Sequence, residues 1–189
     1  MAERMALHLE TGRLAIRPLD PDDEAAYCRF ASEGPVAARM VGAFGPNGEL
    51  RFVSTLDGAE KAAMFRGHLA NRIGGVPSRY AVVLRDGGGF VGAIGSYEID
   101  PARIGLSYWI AVDHHGKGFA QEVLRAYCGP ALRLFGRRLM LANVEPDNAA
   151  SLAALRKVGF TDFDPAASPA VQVPADRVFL QFDGTGAGG

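Results

Sequence analysis

The sequence contains few cysteines. Only Cys28 and Cys128 occur in 189 residues, far apart and without a CxxC pair. A secreted domain stapled by disulfides, or a zinc site built from cysteines, requires more cysteines at closer spacing. The sequence therefore argues against both classes and favours a reducing compartment, so we expect a cytoplasmic protein.

Long apolar runs and an excess of charge of one sign are also missing. No stretch approaches the roughly 18 consecutive apolar residues of a membrane span, and charged residues interrupt the N-terminal segment where a secretory signal needs an apolar run. Lys and Arg number 20 against 21 Asp and Glu, for a net charge of −1. Proteins that bind nucleic acid or a membrane surface usually have a basic excess. We expect neither partner.

The composition is that of one globular domain. Hydrophobic residues make up 48% and charged residues 22% of the chain, as in ordinary folded proteins. Gly and Pro together are 35 of the 189 residues, too few for a low-complexity chain. A chain of this length fits a single core. We assign residues 1–183 to one domain and residues 184–189 to a flexible Gly-rich tail.

Strand-like and helix-like patterns alternate along the chain and predict a mixed α/β fold. Residues 34–56 have no clear pattern. Helices are predicted over 25–32 and 59–72, after residue 118 and after residue 148. Strands are predicted over 11–20, 79–85, 90–99, 103–112, 139–144 and 176–183.

The segment most informative about chemistry is a glycine-containing turn between a predicted strand and a predicted helix, HHGKGFA at 114–120. Gly116 and Gly118 allow backbone N–H groups to converge at a helix N-terminus, an arrangement that binds anions. Phe119 after Gly118 excludes a Walker A loop, and Gln121 excludes the dinucleotide-binding GxGxxG motif. On spacing alone, a phosphate-binding loop and a tight structural turn are equally supported.

Three segments together resemble one family. Residues 115–120 resemble the (Gln/Arg)-x-x-Gly-x-(Gly/Ala) loop of the GNAT N-acetyltransferases. Residues 148–151 and 157–160 resemble the N-x-x-S and K-x-G-F segments of the same superfamily. Residues 11–19 resemble the T-x-R-L-x-L-R-P-L opening of its ribosomal-protein acetyltransferases. Because all three occur in the family's order, the chain is identified as a member of the RimJ/RimL-like branch.

The resemblance implies an α/β GNAT fold: a single mixed, mostly antiparallel sheet, flanked by helices and split by a cofactor cleft. It also implies acetyl-CoA as cosubstrate and no metal. The pantetheine arm would pair with Ile110, Ala111 and Val112 and would contact Asn148. The pyrophosphate would lie on a loop made of His115, Gly116, Lys117, Gly118, Phe119 and Ala120. His115 departs from the family, which has Gln or Arg at that position.

The resemblance says less about the catalytic residues. Many members use a tyrosine seven positions after the Asn as the acid, and here that position is Leu155. In the RimL-like branch the serine three positions after the Asn takes this role, which points to Ser151. Glu98 is our candidate base, with an exposed strand-end glutamate as the structural alternative. Tyr108 is expected near the acceptor pocket.

These observations predict an acetyl-CoA-dependent N-acetyltransferase. The acceptor would be a primary amine, either a protein N-terminal α-amine or a small molecule, attacking directly in a ternary complex. The alternative is a non-catalytic acyl-CoA-binding sensor or interaction protein on the same fold, favoured by the missing tyrosine and by His115. Glu145 is a further candidate base, with an ordinary loop charge as its alternative. The sequence leaves open whether the chain forms a homodimer.

Overall fold

The computed structural model describes residues 6–45, 47, 49–164 and 176–185. Helices and strands alternate within that part of the chain. The helices are α1 (Glu24–Ala31), α2 (Gly34–Arg39), α3 (Gly58–Ala70), α4 (Phe119–Phe135) and α5 (Ala149–Lys157). The strands are β1 (Leu9–Glu10), β2 (Leu14–Pro18), β3 (Val41–Phe44), β4 (Leu50–Phe52), β5 (Arg72–Ile73), β6 (Val76–Pro77), β7 (Arg79–Leu84), β8 (Phe90–Asp100), β9 (Arg103–Ile110), β10 (Leu139–Val144), β11 (Thr161–Asp162) and β12 (Val178–Phe182).

Eight of these strands form one sheet in the order β1-β2-β7-β8-β9-β10-β12-β11. Neighbouring strands run antiparallel, except that β9 and β10 are parallel. The pairs β3–β4 and β5–β6 form two small separate sheets. The expected mixed, mostly antiparallel sheet flanked by helices is therefore confirmed.

The large sheet separates two hydrophobic cores, because alternate side chains of a strand point to opposite faces. Leu106 and Ile110 of β9 belong to the core that includes α4. Trp109, between them in sequence, belongs to the other core, together with Tyr27 of α1 and Phe65 of α3. The two faces of β9 therefore meet different helices.

Two strands are shorter than predicted because the chain turns at their ends. β2 starts only at Leu14, since the N–H of Thr11 donates to the Leu14 carbonyl at 2.8 Å and forms a turn. β9 ends at Ile110, because the 3-10 turn Val112–His114 follows it. Residues 186–189 of the predicted tail lie outside the described residues.

The segment without a clear sequence pattern forms α2 and the β3–β4 hairpin. Buried residues of this segment, among them Val36 and Val53, pack in the same core as Trp109. These elements therefore cover the face of the sheet opposite α4.

A histidine of α3 packs close to this second core. His68 Nδ1 lies 2.8 Å from the Tyr27 hydroxyl. Burial, followed by the positive charge of Arg79, lowers the pKa of His68 to about 4. The imidazole is therefore neutral in the folded protein at neutral pH.

We expect the free energy of unfolding to fall as the pH drops from about 6.5 towards about 4. The unfolded chain protonates His68 near pH 6.5, whereas the folded chain does so only near pH 4, so protons favour unfolding in this window. Replacing His68 with Gln keeps an acceptor for Tyr27 and should remove about 2 kcal/mol of the loss between about pH 7 and about pH 4.5. Urea unfolding across this range measures the effect. The same pH dependence in both proteins would contradict it.

Candidate active site

The site begins where two parallel strands separate. β9 and β10 pair over only three residue pairs, from Arg103↔Leu139 to Gly105↔Leu141. Beyond these pairs β9 stays bonded to β8 and β10 stays bonded to β12, so the gap between them opens as a V. A cavity of about 1270 Å³ extends along this gap and is lined by both strands.

The backbone of β9 presents open polar groups to the gap. The N–H of Ala111 donates to the Val91 carbonyl of the β8 side at 2.8 Å. Hydrogen bonds alternate in direction along a strand, so the N–H and C=O groups of Tyr108 and Ile110 face the gap instead. His115 Nε2 lies 2.8 Å from the Ile110 carbonyl oxygen, which leaves the Ile110 N–H open.

This register distinguishes the three residues expected to contact the cofactor. The Ala111 N–H is bonded to Val91, and its carbonyl accepts from His114 N–H at 2.9 Å. Val112 begins a 3-10 turn, and its carbonyl accepts from His115 N–H at 3.0 Å. The backbone N–H of Ile110 therefore faces the gap, whereas both backbone groups of Ala111 are already bonded.

The loop after β9 has the geometry of an anion site. Gly116 and Gly118 adopt φ values of 73° and 78°, which favour glycine, and so turn the chain into α4. The N–H groups of the first turn of a helix have no partners within it. Here they belong to Phe119, Ala120 and Gln121, at the positive end of the dipole of a 17-residue helix.

The first segment of the family resemblance holds this loop in place. Glu122 of α4 accepts hydrogen bonds from Thr11 Oγ1 at 2.5 Å, Arg13 N at 3.1 Å and Arg13 Nε at 2.8 Å. Arg13 Nη1 in turn donates to the Lys117 carbonyl at 3.0 Å, and its guanidinium lies 4.4 Å from the centre of the Phe119 ring. Burial acts to raise the pKa of Glu122, but the hydrogen bonds from Thr11 and Arg13 leave it below its usual value.

Two hydroxyls meet on the α4 side of the gap. The Tyr108 hydroxyl lies 2.9 Å from Ser151 Oγ, so β9 and α5 are bridged by a hydrogen bond. Asn148 caps α5 by accepting from Ser151 N–H at 3.2 Å, which leaves its side-chain amide donor without a capping role. Burial raises the pKa of Tyr108. Leu155, at the family's usual tyrosine position, is fully buried in the core.

Glu98 lies away from this site. Its register partner on β9 is Ile104, four residues before Tyr108, and its carboxylate forms a 2.8 Å ion pair with Arg137 beyond α4. The Glu98 side chain is 59% exposed and does not line the cavity. The strand register therefore places the Glu98 side chain on the α4 face, four β9 residues before the level of Tyr108, and its role as base stays a prediction.

A charged cluster closes the mouth of the cavity. Arg39 of α2 forms hydrogen bonds with Glu145, and with Asp147 at 2.8 and 3.0 Å. Arg177 pairs with the other oxygen of Glu145 at 3.2 Å. These contacts raise the pKa of Arg39 and lower that of Asp147. They connect α2 to the loop between β10 and α5, across the opening.

The sequence analysis did not identify most of the residues that line the cavity on the side of Arg39. Arg39 lies in the segment without a pattern, and its partners are more than 100 residues away, so no local signal identifies the cluster. Tyr97 reaches the cavity because Gly105 has no side chain: a Cβ at Gly105 would lie 2.0 Å from the Tyr97 ring. Asn143 Nδ2 then donates to the Tyr97 hydroxyl at 3.3 Å.

In the part of the chain that the structure describes, no three or more His, Cys, Asp or Glu side chains form a group suited to a metal ion. No helix of that part has the length and hydropathy needed to cross a membrane.

Comparisons of the chain with protein families, with related sequences and with solved structures all point to the same family. A family model described as an acetyltransferase (GNAT) domain matches residues 13–161. The chain is 23% identical over 154 residues to the uncharacterized N-acetyltransferase p20 of Bacillus licheniformis, which covers 80% of this chain and 81% of the relative. A GNAT-family acetyltransferase from Bacillus anthracis superposes with a TM-score of 0.71 at 15% identity, covering 94% of this chain and 99% of that one. Mycobacterium smegmatis RimJ, solved in complex with CoA-disulfide, gives 0.65 at 18% identity over 93% of this chain and 85% of that one.

The solved structures, at these identities, show a shared fold. The family model spans most of the chain and includes the gap, the loop and the hydroxyl pair. The chain therefore belongs to the GNAT acetyltransferase family.

Proposed function

We propose that the chain is an N-acetyltransferase that moves an acetyl group from acetyl-CoA to a primary amine by direct attack in a ternary complex. The observation that carries the proposal is the gap between β9 and β10, which leads from open backbone groups to an anion-binding loop. Residues 1–183 would form the single catalytic domain. The three sequence segments favour the RimJ/RimL-like branch, in which the acceptor is a protein N-terminal α-amine, and a small amine is the other acceptor class.

The residues at the gap suit the two ends of coenzyme A. The open N–H of Ile110 and the carbonyl of Tyr108 can pair with the amides of the pantetheine arm as an added strand would. The loop from Gly116 to Ala120 presents the unbonded N–H groups of a helix N-terminus to the pyrophosphate. His115 directly precedes this loop and Lys117 belongs to it. Asn148 offers its side-chain amide donor to the pantetheine arm.

Acetyl-CoA supplies a thioester carbonyl, and its departing thiolate requires a proton. A second β9 N–H at the gap near Ile110, that of Tyr108, would stabilise negative charge on the carbonyl oxygen. Ser151 would donate the proton, and Tyr108 would orient and reprotonate the serine through their 2.9 Å hydrogen bond. The proton that the acceptor amine loses on amide formation would return to Tyr108 through solvent. A tyrosine hydroxyl is thus present at the site, although Leu155 occupies the family's usual position.

The cavity favours an acceptor that needs little help from a base. Its carboxylates among the described residues, Glu145 and Asp147, are both bonded to arginines. A chain-terminal α-amine has a pKa near 7.7–8.0, so roughly a tenth to a fifth is neutral at pH 7. A lysine amine, with a pKa near 10.4, is neutral in less than about one part in a thousand. An α-amine therefore fits this site better than a lysine.

The role of Ser151 predicts a selective loss of turnover. Ser151→Ala should lower kcat by about 100-fold, the lower range for loss of a general acid, while the affinity for CoA changes less than about twofold. Tyr108→Phe should lower kcat less, and the double variant should be no worse than Ser151→Ala, because the two hydroxyls act as one unit. Thiol release and calorimetry measure the two quantities. Ser54→Ala, on an exposed residue elsewhere, is the matched control.

An unchanged kcat in Ser151→Ala would remove the serine from the mechanism. Tight CoA binding by the unmodified chain, with no thiol release across peptides and small amines, would instead support the acyl-CoA sensor.

The hydrogen bonds of Glu122 predict a loss of cofactor affinity. Glu122→Gln removes the charge that fixes Arg13, so the Lys117 carbonyl loses its support and the loop amides become less ordered. We expect the Kd for CoA to rise about fivefold to tenfold, equal to about 1 kcal/mol. Glu60→Gln is a matched control, because Glu60 pairs with Arg51 at an exposed site outside the cavity. Calorimetric titration with CoA compares the two variants, and equal affinities would contradict the role of Glu122.

A further inference from the structure

One arginine of the cavity has no partner of opposite charge among the residues that the structure describes. Three arginines and two carboxylates line the cavity within the described residues: Arg39, Arg79, Arg177, Glu145 and Asp147. Arg39 and Arg177 are paired with the two carboxylates. The Arg79 side chain has no hydrogen bond or ion pair to any described residue, and its Nε is buried without a partner there.

The sheet directs Arg79 toward the gap. Arg79 of β7 lies opposite Gly95 of β8, and Gly95 lies opposite Ser107 of β9. Because Gly95 has no side chain, Arg79 lies over it: a Cβ there would be 2.5 Å from Arg79 Cδ and 3.1 Å from Nη1. The side chain therefore extends across β8 toward Ser107, which is exposed in a central strand because it faces the cavity.

The neighbours of Arg79 do not neutralise its charge. His68 and Tyr97 line the same part of the cavity, and both are affected by the charge of Arg79. Burial and this charge keep His68 neutral, while burial raises the pKa of Tyr97 and so keeps its phenol protonated. A partly buried cation without an anion is costly, which points to an anionic group supplied by a ligand.

The position of Arg79 separates this anion from the phosphates of coenzyme A. The phosphate loop follows the Ile110 end of β9, whereas Ser107 lies three residues back toward the closed end, about 10 Å away. Ser107 is adjacent in sequence to Tyr108, whose hydroxyl meets Ser151 on the other face. An anion at Arg79 would therefore lie beside the place where the acetyl group is transferred.

We infer that the acceptor is a primary amine that carries a carboxylate, and that Arg79 binds this carboxylate. The inference rests on the proposed function and specifies its acceptor. A guanidinium binds a carboxylate with two parallel hydrogen bonds, and this geometry would aim the amine at the gap. A free amino acid and a peptide beginning with an acidic residue both supply the group, and the experiment distinguishes them.

The experiment compares acceptors with and without the carboxylate. The acetylation rates of the α-amino acids are compared with those of their amides. In the same way, the rates of tripeptide amides that begin with aspartate are compared with the rates of those that begin with asparagine. Each kcat/KM is determined for the unmodified chain, for Arg79→Met and for Arg66→Met. Arg66 is a 60% exposed arginine of α3 outside the cavity, and it controls for loss of an arginine charge. Comparing variants on the same acceptor cancels differences in amine pKa between acids and amides.

We expect Arg79→Met to lower kcat/KM at least about 30-fold for the better carboxylate acceptor, and less than about threefold for its amide. Arg66→Met should change neither value. Arg79→Lys should recover part of the loss, because it restores the charge without the bidentate geometry. Equal effects of Arg79→Met on acid and amide would overturn the inference while leaving the acetyltransferase proposal intact.

A binding measurement keeps the inference testable without turnover. Calorimetry with the same amino acids and tripeptide amides, in the presence of saturating CoA, reports the acceptor site directly. Binding that requires both the ligand carboxylate and Arg79 supports the inference even if no acetyl group is transferred, and in that case the proposed function fails alone. Absence of both binding and carboxylate-dependent transfer would overturn the inference. Thermal unfolding of Arg79→Met confirms that the variant is folded.

Discussion

The early end of the pairing between β9 and β10 is the constraint on which the site depends. Three residue pairs hold the strands together at Arg103–Gly105, and then each follows its outer neighbour, β8 or β12. Because both strands keep one hydrogen-bonded partner, they can separate without losing the sheet. The cost is a row of unpaired backbone groups inside the protein, and such groups are normally bonded. A ligand that can pair as a strand does would satisfy them.

The rest of the structure keeps the gap open and oriented. Glu122 and Arg13 fix the loop at one end of the gap, because their hydrogen bonds join α4 and Lys117 to the turn between β1 and β2. The Tyr108–Ser151 contact bridges the gap near its middle on the α4 side. Arg39 connects α2 to the loop after β10 across the mouth. Each contact joins elements that are distant in sequence, so the site depends on the fold of the whole sheet.

The sequence allows local features of this arrangement to be predicted, but not its long-range pairing. The glycines at 116 and 118 and the cap at Asn148 act within a few residues, so their patterns identify the loop and the start of α5. The position of Glu98 depends on register, which the sequence does not give: opposite Ile104, it falls on the α4 face and pairs with Arg137. Arg79 reaches the cavity only because Gly95 lies beside it on another strand, a relation that one-dimensional periodicity does not reveal.

Because successive side chains of β9 point to opposite faces of the sheet, the proposed proton donor and the proposed acceptor site lie on different faces. Tyr108 directs its hydroxyl to the α4 side, where Ser151 lies, and Ser107 faces the opposite side with Arg79. A donor lying along the gap and an acceptor entering from the Arg79 side would thus meet at one strand, with the proton donor on the far face. Cys128, whose thiol pKa is raised by burial in α4, is not available as an intermediate nucleophile. This geometry supports the proposed direct attack, because the two substrates would have separate approaches to a single point on β9.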